Sequence, residues 1–302
     1  MDVERLAKDT LTALELDVGD RLRFTLSDGQ VRTIVVVDAS AEVESRGRVW
    51  DGEDNGILKY RIACVLEIDG HRVELVRTIP SQQNFAAPYS LFGMRLWLDT
   101  AGDLSQFLGD THGGTDEVAA CFPRRALRIA LWDARNRICP VLLHPWCPLP
   151  AGGLRPEYCY RGEDTWMGPF CGREAHNGLD INHPAGTRLW APISIDEHEM
   201  FNSFERGDNN NRWRGVHHWG NGADWVLQSH HLIRLIVPQD RPIAAGTAYA
   251  ESAGAYIDAV EHSHFVFRVI DEGTEVLLDP WLLFWQMYED RRLTSVDRPS
   301  TT

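Results

Sequence analysis

Three short segments carry the residue types that hold metals and move protons. His176 and Asp180 stand four apart, and an offset of four puts two side chains on one face of a strand as well as of a helix. His262 and His264 flank Ser263, and on a strand an offset of two turns both imidazoles to the same side. His230-His231-Leu232 lies at the end of a strand-like run. These segments belong to a wider excess. Nine of the 12 histidines (His176, His183, His198, His217, His218, His230, His231, His262, His264) fall between 176 and 264, under a third of the chain.

An imidazole, a carboxylate and a second imidazole fit a catalytic zinc site, in which three protein ligands leave the fourth position open to water. Histidine is also the usual proton carrier near neutral pH. A cupin-type site, which also uses H-x-H, needs a carboxylate a few residues later and another histidine downstream. No histidine follows His264 and the next acid is Asp271, so that reading fails. His183 and His198 read as exposed, and Trp213, Trp219 and Trp225 as packing residues.

The elements that must position these groups are mainly strands. Residues 2–16 place Leu6, Leu11, Leu14 and Leu16 at roughly helical spacing and predict a short amphipathic helix. Runs 21–26 and 31–37 flank Ser27-Asp28-Gly29, and runs 60–68 and 73–79 flank Asp69-Gly70. Both pairs predict β-hairpins. Further strands are expected at 90–98, 126–132, 187–191, 225–227, 233–237 and 264–269. A surface loop or interdomain connection is expected over 102–118, and a terminal helix over 279–288. The expected architecture is mainly β: a β-rich N-terminal module over 1–125, and a β-rich module over 140–292 that carries the histidines.

Composition narrows the partners. The 302 residues are 43% hydrophobic and 25% charged, and 30 Lys and Arg against 44 Asp and Glu give a net charge of −14. A chain this acidic, with no basic run, is a poor ligand for nucleic-acid phosphates or anionic lipid. The first residues, Met1-Asp2-Val3-Glu4-Arg5, lack the basic-then-apolar pattern of a secretory signal. The longest apolar run, at Thr33–Val37, is strand-like and too short to span a bilayer. Cys139, Cys147, Cys159 and Cys171 are spaced C-x7-C-x11-C-x11-C, too wide for a zinc knuckle. Disulfides in a loop-rich segment and buried reduced thiols both remain open.

In chain order, His176–Asp180 with Ile181, Pro184-Ala185-Gly186-Thr187 and Ala191-Pro192, then His231-Leu232, Ala245-Gly246, His262-Ser263-His264-Phe265 and Asp279-Pro280 resemble the LytM/lysostaphin-type zinc metalloendopeptidases. The resemblance covers about 145–290. It implies an antiparallel β-sandwich with a groove above one zinc ion per chain, held by His176, Asp180 and His264. His231 and His262 would handle protons and steady the transition state, and His217, His218 and His230 are candidates for the groove wall. The implied substrate is a short peptide of peptidoglycan, which would place the protein in the cell envelope or outside the cell. Two alternatives are a binding or regulatory module that has lost catalysis and a zinc hydrolase of another substrate. The chain departs from the family at Ser194, where a glycine is usual, and at Ser229-His230, where an aromatic is usual. The family's small-residue run before H-x-H is replaced by 253–261, and 196–224 is long and polar for a connection. These departures touch the groove walls and leave the ligand set intact.

Overall fold

A computed structural model describes residues 1–46, 58–79, 86–102, 123–155, 158–159, 178–202, 211–253 and 262–296. The fold is mainly β, with three sheets and one helix among these residues. The first sheet runs β1 (Asp2–Leu6), β3 (Arg21–Thr25), β4 (Val31–Arg46), β5 (Leu58–Ile68) and β6 (His71–Ile79) in that spatial order, with β1 parallel to β3 and the other pairs antiparallel. The second runs β2 (Thr12–Leu16), β9 (Leu127–Asp133), β8 (Met94–Ala101) and β7 (Tyr89–Leu91).

The second sheet is buried on both faces. Leu11, Ala13, Trp97, Ala130 and Trp132 feed one core, shared with residues 138–288, while Leu14, Leu16, Met94, Leu96, Leu98, Leu127, Ile129 and Leu131 feed the other, shared with the first sheet. Two-sided burial explains the β2 part of the first correction; β1 is an edge strand whose Leu6 is exposed. Residues 2–16, expected as a helix, form β1 and β2. A strand that must be apolar on both faces loses its alternation, and its leucines then imitate a helical stripe.

The third sheet holds the histidine-rich half. Its central path is β10 (Leu179–Asn182), β16 (His262–Asp271), β14 (Ala223–Leu235), β13 (Asn211–His218) and β12 (Glu197–Phe201). β15 (Ala248–Ser252) joins β14 to β11 (Arg188–Trp190), and β17 (Thr274–Leu278) pairs with β16. The helix α1 (Trp281–Val296) follows Pro280 and runs past the expected end at 288. Asp279 caps it by accepting the Trp281 amide at 2.9 Å, the short acceptor that helix starts favour.

Both expected hairpins form. Three other readings need correction. The single strand expected over 90–98 is a hairpin, turned by Phe92 (φ 50°) and Gly93 (φ 81°). Positive φ at both central positions suits the twist of two-residue hairpins, but a phenylalanine there gives no warning. The runs at 225–227 and 233–237 are largely one strand, β14, and the polar stretch 196–224 contains β12 and β13. The connection over 102–118 lies almost wholly outside the described residues. Cys64, Cys139 and Cys147 are buried free thiols, and burial pushes the Cys64 and Cys139 thiols up to about 12. Among the described residues no helix is long and apolar enough to cross a membrane.

Candidate metal centre

The site is assembled across three neighbouring strands. β16 lies between β10 and β14, and the register places Asp180 opposite His264 on one side and His230 opposite His264 on the other. Directly opposed residues share a face, so carboxylate, imidazole and imidazole form one row. His262 stands two residues before His264 on the same face, opposite Asn182.

The Asp180 carboxylate is fully buried. Its Oδ1 accepts a hydrogen bond from His264 Nδ1 at 2.8 Å, and its Oδ2 lies 3.6 Å from His262 Nε2. His262 and His264 are themselves buried. Gly178, just before β10, lets its own backbone approach this group closely. A Cβ there would collide with the Phe265 carbonyl oxygen and come within 2.7 Å of His264 Nε2 and Cε1.

His231 reaches the same space by a different device. Adjacent residues of a regular strand point to opposite faces, so His230 and His231 should diverge. β14, however, pairs with β16 up to His230 and with β15 from Leu232 onward. At the changeover His231 takes φ 61°, a left-handed conformation that costs a non-glycine residue about 1–3 kcal/mol. Its ring then lies 4.8 Å from that of His262 and 6.3 Å from that of His264, centroid to centroid. The His230 ring lies 4.6 Å from that of His264. Burial first, then the neighbouring His264 and Arg212, hold His230 well below the usual imidazole value.

Asp180, His230, His231, His262 and His264 are thus brought together, and His176 lies outside the described residues. Among the described residues no three His, Cys, Asp or Glu side chains already form a metal-holding group. The donor chemistry of those present does suit a zinc-type ion: Asp180 Oδ1 and His264 Nδ1 converge from two strands, with a second imidazole 3.6 Å from the same carboxylate.

His217 and His218, candidates for the groove wall, are not brought to this cluster. They pair with Trp225 and Asp224, about 20 Å along β14 from His230 at the usual rise per residue. His217 Nδ1 lies 3.0 Å from Asp196 Oδ2, and His218 Nδ1 lies 2.9 Å from Asp224 Oδ1. The physical reason is plain: a long strand carries neighbouring sequence far from the site. His183 and His198, expected to be exposed, are both buried. His198 donates from Nε2 to the Arg241 carbonyl at 2.9 Å and faces the Trp213 indole N–H at 3.3 Å. His183 Nε2 lies 2.8 Å from Ser263 Oγ. Trp213, Trp219 and Trp225 are packed in the core. A cavity of about 630 Å³ beside His144, Trp190 and Met287 contains none of the clustered groups.

No protein-family model matches the chain, and no curated protein matches it either. Among solved structures, the chain is similar to the catalytic domain of lysostaphin from Staphylococcus simulans, at 19% identity over 47% of this chain and 89% of that one, with a TM-score of 0.31. It is similar to a protein from Pseudomonas aeruginosa described as peptidase M23, at 14% identity over 93% and 95% of the two chains, TM-score 0.34. It is also similar to a zinc-containing peptidase from Vibrio cholerae, at 12% identity over 88% and 83%, TM-score 0.32.

Proposed function

We propose that the protein is a zinc metalloendopeptidase that hydrolyses peptide bonds of peptidoglycan, in the cross-links or stem peptides. One observation carries the reading: Asp180, His262 and His264 share one buried face, and His231 is turned into the same space by a strained backbone. His176, Asp180 and His264 hold one zinc ion. The ion, when bound, supplies a Lewis acid that polarises the scissile carbonyl and activates a water.

The chain's own groups do the rest. His262 takes the water's proton at Nε2, the nitrogen that faces Asp180, and returns it to the leaving amine; positioned acid–base groups of this kind contribute about 10²–10⁴ in rate. His231 donates a hydrogen bond to the developing oxyanion, a contact worth about 2.7–4 kcal/mol in comparable sites. His230 packs beside His264 and forms the neighbouring groove wall. A peptidoglycan substrate sets the cell envelope or its exterior as the place of action.

Elemental analysis of the purified protein should find one zinc per chain. Incubation with purified peptidoglycan should then release muropeptides with new free amino groups. One zinc per chain with no new amino groups from peptidoglycan points to a zinc hydrolase of another substrate. An absence of zinc points to a binding module and overturns the proposal.

A further inference from the structure

β10 grips β16 from both faces of the sheet. It is a four-residue strand at the end of the sheet's central path, so the ladder to β16 holds it through few hydrogen bonds. On one face Asp180 accepts from His264. On the other, β16 presents Ser263, whose side chain alternates away from His262 and His264 and is fully buried. A buried hydroxyl is costly unless it is hydrogen-bonded. Here it has two partners: Ser263 Oγ donates to Ser252 Oγ at 3.1 Å and lies 2.8 Å from His183 Nε2.

The direction of the second bond follows from the first. The Ser263 hydroxyl proton goes to Ser252, so His183 must donate from Nε2, which makes it the neutral tautomer with its proton on that nitrogen. Burial agrees, pushing the His183 imidazole down to about 4. His183 is the residue that follows β10 directly, three positions beyond Asp180. Two bonds one residue apart on β16 therefore pin both ends of β10, one from each side.

We infer that His183 is a positioning residue that, through Ser263, fixes where Asp180 meets His262 and His264. The inference rests on the reading of Asp180 and His264 as metal ligands, but its geometry can be tested without the metal. His183→Phe keeps an aromatic ring and removes the donor. His183→Gln places an amide N–H near the position of Nε2. Ser263→Ala removes the acceptor and leaves His183 in place.

Two measurements on the full chain decide the matter: zinc affinity by chelator competition, and the imidazole ¹⁵N spectra of His262 and His264 in the metal-free protein. His183→Phe and Ser263→Ala should weaken zinc binding by about 10–100-fold, the usual effect of losing a group that orients a ligand. Both should shift the two imidazole signals, and His183→Gln should restore affinity and signals together. Wild-type affinity and unmoved signals in Ser263→Ala or His183→Phe would overturn the inference. If the wild-type chain binds no zinc, the metal reading falls. The metal-free spectra still judge the positioning role, upheld by signals displaced in Ser263→Ala and recovered in His183→Gln and overturned by signals that stay put. Should His183→Phe fail to fold, Ser263→Ala and His183→Gln decide the question on the same two measurements.

Discussion

Two buried polar clusters in this molecule solve the same problem in opposite ways. Beneath α1, the Arg77 guanidinium pairs with Asp279, donates to the Asp99 carbonyl at 2.8 Å and stacks 4.4 Å above the Trp97 ring. Arg128 bonds Glu15 at 2.9 Å and lies 3.7 Å from Asp99. Asp99 also accepts the Asp279 amide at 2.9 Å. In the histidine cluster Asp180 meets the imidazoles of His262 and His264. Guanidinium is charged at every accessible pH, so the first cluster is a closed set of ion pairs that ties β6, β8 and β9 to the start of α1. Imidazole can give up its proton and offer a lone pair instead. The second cluster is therefore built of groups whose chemistry allows a metal ion to replace a proton, and the first is not. The difference separates a group that holds the fold from one suited to chemistry.

Variants can break this contrast, beginning with the largest effect. His264→Ala should abolish both zinc binding and peptidase activity while the protein stays folded. Retention of stoichiometric zinc by elemental analysis would remove His264 from the ligand set. Arg77→Met should do the reverse. Leaving Asp279 buried without its guanidinium partner should cost about 3–5 kcal/mol in denaturant unfolding, with one zinc per chain still bound below the transition. A variant that lost zinc at unchanged stability would erase the distinction between the clusters.

The pH response should sharpen it. The folded-state value of His183 lies below its unfolded value of about 6.5, so the unfolded chain binds the extra proton between these pH values. Stability should be complete above about 6.5 and fall as the pH drops toward 4, by at most about 3 kcal/mol for this one group. His183→Phe should lack that part of the slope when metal-free unfolding is compared across the window. The smallest expected effect is at Gly178→Ala. The added methyl presses on the Phe265 carbonyl and the His264 ring, and overpacking of this kind costs about 1–3 kcal/mol. Weaker zinc binding by chelator competition should accompany the loss, and an unchanged affinity would mean that the chain over His264 is easily displaced.

How much of the site is legible in the sequence differs from residue to residue. H-x-H on a strand needs only the period of two, and β16 has it. Asp180 as a candidate ligand is likewise within reach of pattern reading, but its place on a strand beside H-x-H is not. His231 is not, because its approach depends on a left-handed backbone where β14 changes partners, and no local spacing encodes that change. His183 reads as exposed because a polar residue before proline looks like a turn; its burial follows from the packing of the β10 end against β15 and β16. His217 and His218 share the histidine-rich window yet lie at the end of β13, opposite the end of β14 far from His230, since proximity in sequence becomes distance along an extended strand.

The sequence by itself determined the residue types able to bind metal and move protons, the β character of most segments, and the acidic balance of the chain. These depend on composition and on periods of two to four residues. Tertiary structure decided that the middle sheet is buried on both sides, that β10 and β14 flank β16, and that Asp180, His231, His262 and His264 meet. Those facts depend on pairing between segments as distant in the chain as Leu179 and Phe265, and short-range patterns carry no information about which strands pair.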